Sequence, residues 1–93
     1  MDPEFITLMN ELQNLLRFVF QTKNELTFPV SGTGSAGMEA AFCNFVEPDD
    51  HVLVCVNGLF GHRMADVAAR YGATVTCLER AWGEVFDPRE IET

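Results

Sequence analysis

The six residues His51-Val52-Leu53-Val54-Cys55-Val56 form an apolar run of strand length with no polar alternation. That is the pattern of a strand covered on both faces, as in a parallel sheet. Parallel neighbours are reached only through a crossover, usually helical. The next residues meet that demand: Phe60, Met64, Val67, Ala68 and Tyr71 recur at helical spacing, and Gly72 stands where a helix C-terminus closes. Ala73-Thr74-Val75-Thr76-Cys77-Leu78 then returns to strand composition. Asn57-Gly58 would signal a hairpin if a strand followed it, and none does.

The same grammar reads backwards along the chain. Leu26-Thr27-Phe28-Pro29-Val30 predicts a strand, and Pro29, which has no N–H for a ladder, places it at an edge. A helix is expected from about Ser35 to Val46, with Ser35 as N-cap, ending at the acidic turn Glu47-Pro48-Asp49-Asp50. Leu8, Leu12, Leu15, Leu16 and Val19 give an amphipathic helix over about Thr7 to Thr22. Phe18 and Phe20 widen its apolar face, which reads as a thick core helix ahead of a second contact surface. Asp87-Pro88-Arg89-Glu90 starts a further helix. The predicted class is α/β, a three-layer arrangement in the order α-β-α-β-α-β-(α) with an incomplete sheet. Residues 1–5 read as a cloning scar and residues 6–93 as part of one larger domain.

Composition removes several functions. Six Lys+Arg against fourteen Asp+Glu leave a net charge of -8, which repels nucleic acid and anionic lipid. No apolar run approaches the ~20 residues needed to span a bilayer. Cys43, Cys55 and Cys77 stand far apart, without a C-x-x-C pair, and read as buried thiols in a reducing compartment. His51 and His62 have no partner at ligand spacing, so no metal site is expected.

The chemistry concentrates in Val30-Ser31-Gly32-Thr33-Gly34-Ser35-Ala36-Gly37, which joins a strand-like run to a helix through three glycines and three hydroxyls. Unpaired N–H groups at a helix N-terminus, with Thr33 and Ser35 hydroxyls beside them, suit a phosphate. Gly32-x-Gly34-x-x-Gly37 also matches the dinucleotide fingerprint. That motif requires an acidic residue at the end of the next strand, where this chain has Asn57.

Phe20-Gln21-Thr22-Lys23-Asn24, the glycine loop with Met38-Glu39-Ala40-Ala41, Glu47-Pro48-Asp49-Asp50, Val56-Asn57-Gly58-Leu59-Phe60-Gly61 and Arg70-Tyr71-Gly72-Ala73 together resemble the class V pyridoxal-phosphate-dependent aminotransferases. The resemblance is to their alanine–glyoxylate, serine–glyoxylate and serine–pyruvate group, and it runs from about Leu8 to Thr93. It implies the type I transferase fold, with Thr33, Gly34 and Ser35 cradling the phosphate of pyridoxal 5′-phosphate and Phe60 stacked on its ring. In that family the lysine that anchors the cofactor, its acidic partner and the substrate-gripping arginine lie downstream of Thr93. The chain's one lysine, Lys23, reads as a solvated cation after the first helix.

The function so implied is part of an aminotransferase that moves an amino group from alanine or serine to glyoxylate or pyruvate, with no catalytic residue in this stretch and no activity by itself. A soluble intracellular setting is expected, cytoplasmic, or peroxisomal if the source is eukaryotic. Missing strands leave open edges, which predicts a homodimer or higher self-association. The alternatives are a small dinucleotide-binding, Rossmann-like module and a non-catalytic self-associating folding unit.

Overall fold

The computed structural model describes residues 2–92 and contains α1 (Pro3–Val19), α2 (Gly34–Phe45), β1 (His51–Val56), α3 (Leu59–Arg70), β2 (Thr74–Glu79) and α4 (Pro88–Glu92). The chain divides into two compact units, one up to Gly32 and one from Thr33.

In the first unit, α1 begins within the stretch set aside as a scar. Asp2 caps it by accepting from the Glu4 N–H at 2.8 Å, and Pro3 supplies the fixed φ of a first turn. After the helix, the Arg17 guanidinium folds the chain back: Nε donates to the Asn24 carbonyl at 2.9 Å and Nη1 to Asn14 Oδ1 at 2.9 Å. No residue of α1 is buried, and Leu15 and Phe18 are 62% and 74% exposed. The positions expected in a core are therefore left unburied by this unit.

The strand expected over Leu26–Val30 is not formed. A strand exists through its ladder, and among the described residues the sheet holds only β1 and β2. The segment's own bond, Thr27 N–H to the Glu25 carbonyl at 3.0 Å, is a local turn. The element order is thus α-α-β-α-β-α, with one βαβ crossover in place of two.

In the second unit, β1 and β2 pair in parallel, His51 opposite Thr74 through Val56 opposite Glu79. Their starts are tied by the acidic turn: the Asp49 N–H donates to the Gly72 carbonyl at 3.0 Å, and the Thr74 N–H to the Asp50 carbonyl at 2.8 Å. Gly72 has φ +89, the left-handed conformation that ends α3. The core is Val54 and Val56 of β1 against Val67 and Ala68 of α3. At Gly61 the first turn of α3 comes so close to β1 that a Cβ would stand 2.9 Å from the Val56 Cα.

Only one face of β1 is covered, contrary to the apolar run's demand. The alternate residues point away from α3, and Leu53 is 43% exposed. All three cysteines are free thiols, as expected, but Cys43 and Cys77 are exposed where burial was expected. Cys43 lies on α2, which buries none of its residues, and Cys77 on a strand with one neighbour. No helix of the described residues is long and apolar enough to cross a membrane.

Candidate functional site

The N-terminus of α2 is built by Thr33, not by the expected Ser35. Thr33 has extended backbone (φ -75, ψ 160), and its Oγ1 accepts from the Ala36 N–H at 3.1 Å, while its carbonyl accepts from Gly37 N–H at 3.1 Å. A threonine preceded by glycine and followed by glycine takes that turn readily, and the cap contributes about 1 kcal/mol. Ser35 falls one position inside the first turn, half-buried.

This cap leaves the Gly34 and Ser35 N–H groups without an acceptor among the described residues. Beside them a Cβ on Gly34 would meet nothing within 4 Å, so the approach is open. Two free amides, the Ser35 hydroxyl and the positive end of a 12-residue helix fit a phosphate group.

Phe60 is the second residue of α3 and is 52% exposed, which gives its ring a free face. Gly58 caps that helix with no side-chain hydrogen bond. Asn57, just before it, donates from Nδ2 to the Glu84 carbonyl at 3.1 Å, and the Trp82 indole lies against Gly58. No hydrogen bond or ion pair among the described residues joins Thr33, Gly34 or Ser35 to Phe60, so each half of the site is set by its own helix. Sequence reasoning missed Trp82 and Glu84; the signal was the Trp82-Gly83-Glu84 turn that starts three residues after β2 ends at Glu79.

Further along, α2 meets α3 through Glu39 and Cys43 against Tyr71, beside a pocket of about 180 Å³ also lined by Arg63, Asp66, Val67 and Arg70. Partial burial, then Cys43 and the Glu39 carboxylate, raise the Tyr71 hydroxyl above its ordinary value. Tyr71 is the only tyrosine, so ultraviolet difference absorbance follows its ionisation alone. Its midpoint is expected above the usual value of about 10, and lower in Cys43→Ala; equal midpoints in the two chains would refute the contact. Because the folded value is raised, the contact's stabilisation is complete below pH ~10 and is lost as the pH rises through the folded value. Among the described residues no cluster of three His, Cys, Asp or Glu could hold a metal.

No model of a known family matches the chain. It is 48% identical over 90 residues to the (S)-ureidoglycine–glyoxylate transaminase of Bacillus subtilis, covering 97% of this chain and 22% of that protein. It is 43% identical over 91 residues to the alanine–glyoxylate aminotransferase of Drosophila melanogaster, covering 98% of this chain and 23% of the relative. The crystal structure of an alanine–glyoxylate aminotransferase from Nostoc sp. superposes with a TM-score of 0.84 at 56% identity, over 97% of this chain and 24% of that one. The chain thus spans less than a quarter of the length of these relatives.

Proposed function

We propose, from the premise that this chain belongs to the class V aminotransferases of the alanine–glyoxylate group, that it supplies the phosphate cradle and the ring-stacking aromatic of a pyridoxal 5′-phosphate site. The homologous aminotransferases depend on that cofactor, which when bound acts as the electron sink of amino-group transfer. Thr33 fixes the start of α2, and the Gly34 and Ser35 amides with the Ser35 hydroxyl bind the phosphate. Phe60 packs on the ring face and excludes water from it. The whole protein moves an amino group from alanine or serine to glyoxylate or pyruvate, and this stretch orients the cofactor without supplying a proton-transferring group.

The observation that carries this reading is the capped, open N-terminus of α2, with two donors free in a chain of net charge -8. Local N–H groups attract an anion there despite the overall field. The dinucleotide alternative gains nothing from the comparisons. The Asn57 amide that stands where it needs a ribose-binding carboxylate is turned to Glu84 as a donor. The exposed apolar side chains of α1 and the open face of β1 favour self-association as a homodimer or higher assembly.

The test is the thermal midpoint with and without pyridoxal 5′-phosphate, with pyridoxal and a Lys23→Ala variant separating phosphate binding from adventitious imine formation. At 100 times the Kd the ligand adds roughly 2.7 kcal/mol, a shift of several degrees. Ser35→Ala, which leaves the Thr33 cap intact, should lose most of that shift; an equal shift in Ser35→Ala or with pyridoxal would overturn the cradle. Light scattering on the same samples gives the assembly state, and a monodisperse monomer would count against self-association.

A further inference from the structure

The loop from Arg80 to Asp87 connects β2 to α4, yet it is latched to the residues that open α3. The Arg80 N–H donates to the Val56 carbonyl at 2.9 Å, next to the end of the β1–β2 ladder. The Asn57 amide Nδ2 donates to the Glu84 carbonyl at 3.1 Å, across 27 residues of sequence. The Trp82 indole borders Gly58, with Nε1 3.5 Å from where a Cβ would stand.

The loop can bear that load because it is closed on itself. The Glu84 N–H donates to the Ala81 carbonyl at 3.1 Å, the Glu84 carboxylate accepts from the Ala81 N–H at 3.1 Å, and Gly83 takes φ +83 between them. Arg80 ties its far end by an ion pair to Glu90 and lies 5.8 Å over the Phe86 ring. On the other side, α3 has no side-chain cap, so the direction of its first turn depends on what holds Val56-Asn57-Gly58. Phe60 belongs to that turn.

We propose that Asn57, latched to the 80–87 loop, is a positioning residue for Phe60, with Trp82 as the second point of the latch. The proposal rests on the reading of Phe60 as the ring-stacking aromatic. It gives Asn57 a role other than ligand, because the Glu84 carbonyl engages one of its two Nδ2 hydrogens and turns the amide toward the 80–87 loop.

The experiment compares the parent chain with Asn57→Ala and with Asn57→Asp, which keeps the size and loses the donor. Without ligand, hydrogen exchange at His62, whose N–H donates to the Gly58 carbonyl at 3.3 Å, is expected to quicken about fivefold, the effect of one lost hydrogen bond. The Phe60 ring resonances and the emission of Trp82, the single tryptophan, should shift, while the Ala36 amide that Thr33 caps stays as it was. Unmoved Phe60 resonances would overturn the proposal, as would exchange quickened equally at Val54, Leu78 and Ala36, which would mean general loosening. With ligand, both variants should lose affinity for pyridoxal 5′-phosphate about fivefold and none for inorganic phosphate; equal losses for both overturn the proposal. Should the parent chain bind neither, the cofactor reading of Phe60 falls by itself, and the ligand-free shift of Phe60 decides the positioning role.

Discussion

Gly34→Asp is expected to cost the chain its affinity for pyridoxal 5′-phosphate and for inorganic phosphate by about a hundredfold or more, without harming the fold. A carboxylate in the first turn of α2 would stand where the ligand's own negative charge has to sit, and like charges set together cost several kcal/mol. The fold has room for it, because nothing lies within 4 Å of a Cβ at Gly34. An acidic residue at a helix start even adds about 0.3–1 kcal/mol through the dipole. The expected result is a higher midpoint without ligand and a lost response to it. A variant that still bound phosphate as tightly as the parent would move the anion away from this helix.

The second large effect is on stability. Gly61→Ala should lower the denaturation midpoint of the unit from Thr33 onward, although alanine is the better helix former. Helix propensity favours the change by about 0.8–1 kcal/mol. Against it, the new Cβ would stand 2.9 Å from the Val56 Cα and 3.2 Å from its Cγ1, and backbone in a packed core has little freedom to retreat. Overpacking of that kind costs about 1–3 kcal/mol, so the clash wins, and Gly61→Val should cost more. Gly37→Ala is the control, since its Cβ meets nothing within 4 Å, and it should raise the midpoint. Urea titrations of the three variants check this; Gly61→Ala as stable as the parent would mean that α3 does not sit this close to β1.

The elements with sharp local signals were legible. β1 runs from His51 to Val56 as its apolar run implies, α2 lies within a residue of its expected bounds, and α3 takes in Phe60, Met64, Val67 and Ala68 of its predicted stripe. Gly72 marks the end of α3 for the reason it was chosen, a positive φ. What depended on distant partners was not legible. Leu26–Val30 has strand composition and no ladder, and α1 has a core-helix stripe and no core. In the candidate site, Thr33, Gly34, Ser35 and Phe60 were singled out from motif and resemblance, and the structure puts the first three at the start of α2 and Phe60 in the first turn of α3. The cap moved from Ser35 to Thr33 because both carry a hydroxyl and the spacing does not say which leads the helix. The Asn57–Glu84 bond spans 27 residues and leaves no periodic trace, so only the folded chain reveals it.

The uncovered face of β1 is a store of association free energy. Its residues were chosen as if for an interior, and the apolar area around Leu53 still in water is worth roughly 25 cal/mol for each Å² that another surface removes. That gain is available to whatever surface fits, whether another layer of a parent domain or a second copy. The strand is therefore adhesive by composition, and its specificity has to come from the shape and hydrogen-bonding edge of the partner, since apolar area alone discriminates little.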